Sequence, residues 1–254
     1  MSELAKVQEL LKYLNLNESA AKLEDIFSSA ATKNNTPLEV IKALLLCETE
    51  SRKEKGRIKR MKTAAFPYQE ELESFDFNRK GFKGITKLHV KQLAELVWLE
   101  NAYNIMFLGP PGLGKTRLSI GLGIKAIETG YNVAFVTLDQ LMQLLKTAEI
   151  RMKSSRRIKQ IKSSDLVILD EVGFLPISRQ EVNKLYEFIN ELYMKTSIIL
   201  TSNKGFEEWS EFLGDSVITA AILDRLAHQC EIFTLEGPSW RIENRKTILK
   251  KDTD

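Results

Sequence analysis

The chain has 254 residues, of which 43% are apolar and 28% are charged, and its net charge is +3. These proportions are typical of a folded globular protein and exclude a disordered or fibrous chain. Two cysteines and two histidines, with no CxxC pair, exclude a disulfide framework and disfavour a zinc site. No apolar run approaches the roughly 18 residues that span a bilayer, and the N-terminus lacks a signal-peptide pattern. We therefore expect a cytoplasmic protein without a membrane partner.

Basic charge is concentrated in two short segments. Residues 51–62 and 146–162 each contain seven basic residues and one acid, which leaves the rest of the chain at −9. Such clusters are typical of polyanion-binding surfaces, although solvated helix faces are the alternative. Both segments lack asparagine and well-placed aromatics, which favours contacts with the phosphates of duplex DNA over contacts with bases. The expected DNA-binding residues are Arg52, Lys53, Lys55, Arg57, Lys59, Arg60, Lys62, Arg151, Lys153, Arg156, Arg157, Lys159 and Lys162.

The N-terminal part of the chain has a helical pattern. Apolar residues recur at helical spacing between Leu4 and Leu14 and between Ala20 and Ala30. Thr36–Glu39 forms a capping box with proline at the first helical position, and Pro67 disfavours helix at the residue before it. We predict a small helical domain over residues 1–66 that ends in the first basic segment.

The remainder divides into a connection and a larger domain. Residues 67–101 are rich in aromatics and turns and predict one further helix, from Lys87 to Asn101. Over residues 102–254, short apolar strands alternate with amphipathic helices, which predicts an α/β domain whose parallel sheet is covered on both faces. The predicted strands are Ile105–Leu108, Asn132–Thr137, Leu166–Leu169, Ser197–Thr201 and Ile232–Leu235.

A glycine-rich loop follows the first predicted strand and precedes a helix. It matches the G-x-x-x-x-G-K-[ST] pattern, in which backbone N–H groups and the helix N-terminus surround phosphates. In this pattern Lys115 reaches the β and γ phosphates and the Thr116 hydroxyl ligates Mg²⁺. The predicted phosphate-binding residues are Gly109, Pro110, Pro111, Gly112, Leu113, Gly114, Lys115 and Thr116.

Polar residues follow two further apolar strands. Asp170 ends one of them and can hold Mg²⁺, while the adjacent Glu171 can deprotonate an attacking water. Asn203 ends the next, at the edge of the sheet where ligands bind, and can hold that water and the γ-phosphate. A turn-forming role for Asn203 is the alternative. Together these residues predict ATP hydrolysis.

The motifs GPPGLGKT, VILDE, ILTSN and LDRL together resemble the AAA+ ATPases of the IstB/DnaC group, and most closely the IstB-like helpers of insertion-sequence transposition. The segment LESFDF, which precedes the α/β domain, and the segment GPSWR at residues 237–241 also resemble segments of this group. The resemblance covers most of the chain and is strongest over residues 70–245. It implies a P-loop AAA+ core preceded by a small all-helical domain, with no helical lid.

The resemblance also implies residue roles and partners. Arg225 looks like an arginine finger that acts on the nucleotide of a neighbouring subunit, and Arg241 resembles a second sensor near the nucleotide. The expected function is that of a Mg²⁺-dependent ATPase that forms a homo-oligomer on duplex DNA and recruits or activates a transposase. A helicase loader that holds single-stranded DNA is the main alternative. A small-molecule kinase would not need Glu171 and Asn203, and a non-hydrolysing adaptor would not need Glu171.

Overall fold

A computed structural model of the protein describes residues 2–173 and 178–245. The chain divides into two compact units, Met1–Lys59 and Arg60–Asp254. The first unit is helical, as the apolar spacing predicts. Its helices are α1 Glu3–Tyr13, α2 Asn17–Ala21, α3 Leu23–Lys33 and the larger part of α4 Pro37–Ala64.

Both ends of α4 lie where local sequence predicts them. At the start, the backbone N–H of Thr36 donates to Glu39 Oε2 at 2.7 Å, and the Glu39 N–H donates to Thr36 Oγ1 at 3.3 Å. At the end, Ala65 turns into the left-handed region with φ of 62°, two residues before Pro67. The capping box and the proline therefore bound a helix of 28 residues.

Among the described residues, the second unit contains all five strands and the remaining helices. A 3₁₀ turn at Leu72–Ser74 precedes the helices of this unit, and a second one lies at Phe206–Glu208. The helices are α5 Lys87–Ala94, α6 Val97–Glu100, α7 Lys115–Thr129, α8 Leu138–Thr147, α9 Met152–Lys162, α10 Arg179–Leu192, α11 Trp209–Leu213, α12 Ser216–Ala227 and α13 Trp240–Glu243. The strands are β1 Asn104–Leu108, β2 Val133–Thr137, β3 Leu166–Val172, β4 Ser197–Ser202 and β5 Cys230–Thr234.

The five strands form one parallel sheet in the order β2-β3-β4-β1-β5. Alternate strand residues supply two apolar clusters, one on each face. Met106 and Leu200 pack with α8 to α12, whereas Phe107 and Ile199 pack with α5, α7 and the segment before α5. The predicted parallel sheet with helices on both faces is confirmed. Because β1 lies between β4 and β5, the loop that follows it opens over the carboxyl edge of the sheet.

One predicted helix is divided. Lys87–Asn101 forms α5 and α6, because Leu96 adopts the left-handed region with φ of 63°. Leu93, Leu96 and Leu99 are all buried, and their three-residue spacing imitates a continuous helix. Apolar periodicity therefore could not reveal the break.

Two further features of the fold concern the segment after β5 and the apolar length of the helices. Downstream of β5, the described residues up to 245 contain one helix of four residues, α13. Within the ranges 2–173 and 178–245, no helix is long and apolar enough to cross a membrane.

Candidate nucleotide-binding site

The glycine-rich loop connects β1 to α7 and needs its glycines. Gly114 has φ of +94°, which side-chain-bearing residues rarely adopt, and an added Cβ would lie 2.5 Å from the Phe75 ring. The loop ends at the N-terminus of the 15-residue helix α7, where unpaired N–H groups favour an anion. The residues from Gly109 to Thr116 therefore form a backbone cradle at the carboxyl edge of the sheet.

The Lys115 side chain folds over this cradle. Its Nζ atom donates to the carbonyl oxygens of Gly109 at 2.5 Å and Pro110 at 2.8 Å. Burial lowers the pKa of Lys115 to about 8, and the nearby charge of Asp170 opposes this shift. A polyphosphate in the cradle would supply negative charge directly to this ammonium group and stabilise its protonated form.

Asp170 lies opposite, at the carboxyl end of β3, and is 3% exposed. The Thr116 hydroxyl donates to its Oδ1 atom at 2.9 Å, and the Thr201 hydroxyl donates to the same atom at 2.5 Å. Burial raises the pKa of the Asp170 carboxyl group, while these two hydrogen bonds oppose the shift. Magnesium ions bind carboxylate, hydroxyl and water oxygens. The Thr116 hydroxyl and the Asp170 carboxylate lie together at this end of the cradle, so the chemistry of the pair fits a magnesium ion.

Glu171 is exposed at the same edge and has an unusual backbone. Its φ of 61° coincides with a register shift between β3 and β4, from Leu169 to Val172. A left-handed non-glycine residue costs on the order of 1–3 kcal/mol, so surrounding contacts must hold it. One such contact is the Glu171 N–H, which donates to Thr201 Oγ1 at 3.1 Å. The strained backbone directs Glu171 to the cavity wall rather than into the strand register.

Asn203 follows β4 and lines the same cavity. Its Oδ1 atom is buried and has no hydrogen-bond partner among the residues that the structure describes. A buried acceptor without a partner is costly, so it favours a donor such as a water molecule or a ligand group. This property suits a side chain that orients a water molecule.

These groups surround one cavity of about 430 Å³, which is within the usual range for small-molecule sites. The walls come from the phosphate loop, the ends of β3 and β4, the segment from Tyr68 to Arg79, and α13. Trp240 and Arg241 line the cavity, and the backbone N–H of Trp240 donates to the Gly112 carbonyl oxygen at 3.0 Å. The structure thus brings Lys115, Thr116, Glu171, Asn203 and Arg241 to one cavity, with Asp170 beneath its floor.

Arg225 lies elsewhere, on α12. Its Nε atom donates to Asn190 Oδ1 at 2.9 Å, and its guanidinium lies 4.7 Å from the Tyr186 ring centre. Arg225 does not line the cavity of its own chain.

Thr201 is a central site residue that sequence reasoning missed. It is 2% exposed, lines the cavity and contacts both acidic residues, through the Asp170 side chain and the Glu171 backbone. A signal was present in the sequence. Thr201 lies two residues before Asn203, and strand residues two apart point to the same face. A polar residue there, after three apolar ones, indicates a side chain that points to the site.

The predicted DNA-binding residues lie in three settings. Arg151, Lys153, Arg156 and Lys159 are exposed on or next to α9, whereas Lys162 pairs with Glu191 at 2.6 Å. Arg157 is half-buried and donates to the carbonyl oxygens of Thr63 and Phe135, both at 2.9 Å.

The first basic segment lies on α4. There Arg52, Lys53, Lys55, Lys59 and Lys62 are exposed, Arg57 and Arg60 are half-buried, and ion pairs join Arg52 to Glu48, Lys55 to Glu18 and Arg57 to Glu54.

A parallel sheet, a glycine-rich phosphate cradle and an acidic strand end define a P-loop nucleotide-binding protein with the AAA+ fold. The family model described as "IstB-like ATP binding protein" matches residues 9–248. The ATP-binding protein of insertion sequence IS21 from Pseudomonas aeruginosa is 38% identical over 98% of this chain and 94% of its own length. An IS21-like ATP-binding protein from Bacteroides fragilis is 34% identical over the whole chain and 97% of its own length. The chain therefore belongs to the IstB-like family of ATP-binding proteins.

Solved structures support the fold. The crystal structure of DnaI is similar with a TM-score of 0.56 and 17% identity, over 65% of this chain and 90% of that one. DnaA from Aquifex aeolicus with bound AMPPCP gives a TM-score of 0.52 and 24% identity, over 65% of this chain and 50% of that one. At these identities the likeness concerns the AAA+ fold alone.

Proposed function

We propose that this protein is a Mg²⁺-dependent ATPase that assembles on duplex target DNA and recruits or activates a transposase in the cytoplasm. The observation that carries the proposal is the cavity in which Lys115, the Thr116–Asp170 pair, Glu171 and Asn203 meet. Full-length relatives named for insertion sequences and ATP binding support the transposition role.

Each cavity residue has a role in the proposed hydrolysis. Lys115 neutralises the β and γ phosphates, and Thr116 and Asp170 would hold Mg²⁺, which supplies further positive charge to the phosphates. Glu171 accepts the proton of the attacking water, and Asn203 orients that water through its unpaired acceptor. Arg241, at the cavity wall, would pair with a phosphate oxygen. Strained backbone is concentrated at functional sites, so the left-handed Glu171 beside the cavity supports a role in hydrolysis.

Arg225 connects the site to assembly. It does not line its own cavity, yet a phosphoryl-transfer site gains most from an arginine that reaches the developing charge. We therefore propose that Arg225 completes the cavity of a neighbouring copy, so that hydrolysis requires an oligomer.

Exposed basic residues on α9 and α4 would hold the DNA. Phosphate contacts of this kind are insensitive to base sequence and are weakened by salt. Assembly of many copies would multiply the contacts and strengthen binding in the presence of ATP. The sequence resemblance to the IstB/DnaC group leaves a helicase loader as the competing function, and that function requires a preference for single-stranded DNA.

Replacement of Thr201 by Val should impair turnover more than nucleotide binding. The substitution keeps the shape but removes the hydroxyl that contacts Asp170 and the Glu171 N–H. Loss of a hydrogen bond to a buried charged group costs about 1–3 kcal/mol, which corresponds to a fall in kcat of roughly 5- to 150-fold, and the Mg²⁺ requirement should rise. Thr201→Ser, which retains the hydroxyl, should restore both quantities. Steady-state phosphate release over a Mg²⁺ titration makes the measurement, and equal behaviour of the two variants would contradict the role.

Replacement of Arg156 and Lys159 by Ala should weaken binding to unrelated duplexes about equally. The slope of log affinity against log salt should flatten by about one unit for each lost phosphate contact. Arg157 is left out, because its bonds to the Thr63 and Phe135 carbonyls stabilise the fold. Salt titrations on two duplexes and one single strand make the measurement. An unchanged slope would show that these charges only face solvent, and a strong single-strand preference would favour the helicase loader.

A further inference from the structure

The turn between α8 and α9 exposes two large aliphatic side chains. Ile150 is 86% exposed and Met152 is 70% exposed. Folding normally buries such side chains, and isolated exposed ones need no explanation. The members of this pair lie two residues apart at the apex of a helical hairpin.

The turn that carries them is well braced. The Thr147 carbonyl accepts the N–H groups of Ile150 at 3.1 Å and Arg151 at 2.8 Å. Across the base of the turn, the hydroxyl groups of Thr147 and Ser154 lie 2.8 Å apart in a hydrogen bond. The helices below are anchored in the core by buried residues, including Leu141 and Ile158. The hairpin therefore presents its apolar tip on a rigid support.

The surroundings of the tip are basic. Arg151 and Lys153 alternate with the two aliphatic residues, and Arg156 and Lys159 follow on the exposed side of α9. The nearby acid, Glu149, reaches toward Lys184, with 3.5 Å between the charged atoms. An apolar tip flanked by cations is complementary to a polyanion that has an apolar interior. Duplex DNA, with charged phosphates outside and stacked bases inside, has that construction.

We propose that Ile150 and Met152 form a wedge that enters a base step of duplex DNA and bends it, while the flanking cations contact the phosphates. The wedge rests on the proposed duplex binding and adds to it a distortion that phosphate contacts alone do not produce. Aliphatic side chains that enter a base step unstack it and kink the duplex. The site should therefore favour flexible pyrimidine–purine steps such as TA, although it reads no base edge.

A lipid surface fits the same residues less well. Membrane-binding amphipathic helices insert a continuous apolar face. The other apolar residues of α9, Ile158 and Ile161, are buried against the protein, so that only the two tip residues would remain for lipid. The observations therefore favour duplex DNA as the occupant.

The test uses the full-length protein with ATP and Mg²⁺, on a short duplex that carries a dye at each end and 2-aminopurine at a central TA step. With wild-type protein, we expect energy transfer between the dyes to rise as the duplex bends, and 2-aminopurine fluorescence to rise as its step unstacks. The double variant Ile150→Ser/Met152→Ser should reduce both signals by at least about twofold, because serine cannot separate stacked bases. For this variant, the slope of log DNA affinity against log salt should match that of wild type, since no charge is lost.

The matched control is Leu88→Ser/Val97→Ser, which removes two aliphatic residues of similar exposure, 63% and 59%, on α5 and α6. It should behave as wild type. Bending and unstacking that persist in the Ile150→Ser/Met152→Ser variant would overturn the wedge. So would a variant that bends DNA as wild type does but no longer binds phosphatidylserine vesicles that wild type binds. Wild-type protein that binds the duplex without bending it would overturn the wedge alone. Wild-type protein that binds no duplex would overturn the proposed function together with the wedge.

Discussion

Replacement of Glu171 by Gln is expected to stop ATP turnover and to leave ATP binding intact. The amide has the shape of the carboxylate but cannot accept a proton from the attacking water. A positioned general base contributes about 10²- to 10⁴-fold to a rate, so kcat should fall by at least two orders of magnitude. Glu171 is exposed on the cavity wall and its side chain does not hold the phosphate loop, so ATP affinity should change little. Steady-state phosphate release and equilibrium binding of ATP measure the two quantities separately.

Two further variants define the result. Lys115→Ala removes the cation nearest the β and γ phosphates and should weaken ATP binding itself. Glu128→Gln, on the exposed end of α7, makes the same chemical change away from the cavity and should leave both quantities unchanged. Hydrolysis at the wild-type rate by the Glu171→Gln variant would remove this residue from the mechanism.

Replacement of Arg225 by Ala is expected to abolish ATP hydrolysis, and mixing this protein with a second inactive variant is expected to restore part of the activity. An arginine supplied by a neighbouring subunit is worth on the order of 10³-fold in phosphoryl transfer, because it neutralises charge in the transition state. The Arg225→Ala protein keeps an intact phosphate loop, and the Lys115→Ala protein keeps Arg225. A mixture of the two, each inactive alone, should regain part of the ATPase activity.

A structural role for Arg225 predicts a different pattern. Within the chain it bonds to Asn190 and stacks on Tyr186, so its loss could simply weaken the packing of α12 on α10. Asn190→Ala removes the hydrogen-bond partner and retains the guanidinium, so it should keep most of the activity if Arg225 acts on a neighbouring nucleotide. No recovery in the mixture, despite co-assembly shown by cross-linking, would contradict the shared site.

The fold was predictable because its signals are local. Apolar runs located all five strands to within three residues, and the capping box and Pro67 located both ends of α4. The phosphate loop was predictable for the same reason, since its glycines and Lys115 are contiguous. Leu96 shows the limit of this approach. A left-handed break in a helix leaves leucine spacing nearly unchanged, so the division between α5 and α6 requires tertiary information.

The parts of the site that sequence reasoning missed depend on pairing between strands. Thr201 matters because the alignment of β4 with β3 places its hydroxyl between Asp170 and the Glu171 N–H. The strain at Glu171 arises from the register shift of the same two strands. Arg157 reads as one more cation in a basic run, yet burial and three bonds to Thr63, Phe135 and Gln160 give it a structural role. None of these contacts follows from spacing along the chain.

Electron microscopy of the Glu171→Gln protein, with and without ATP and duplex DNA, is the direct test of ATP-dependent assembly on DNA. The proposal is that ATP joins copies of this chain through a shared nucleotide site and that the assembly holds duplex DNA. A variant that binds ATP without hydrolysing it should accumulate this state. With ATP and duplex together, we expect rings or filaments that follow the DNA, and far fewer of them when either is left out. Separate protein molecules under all conditions would contradict it.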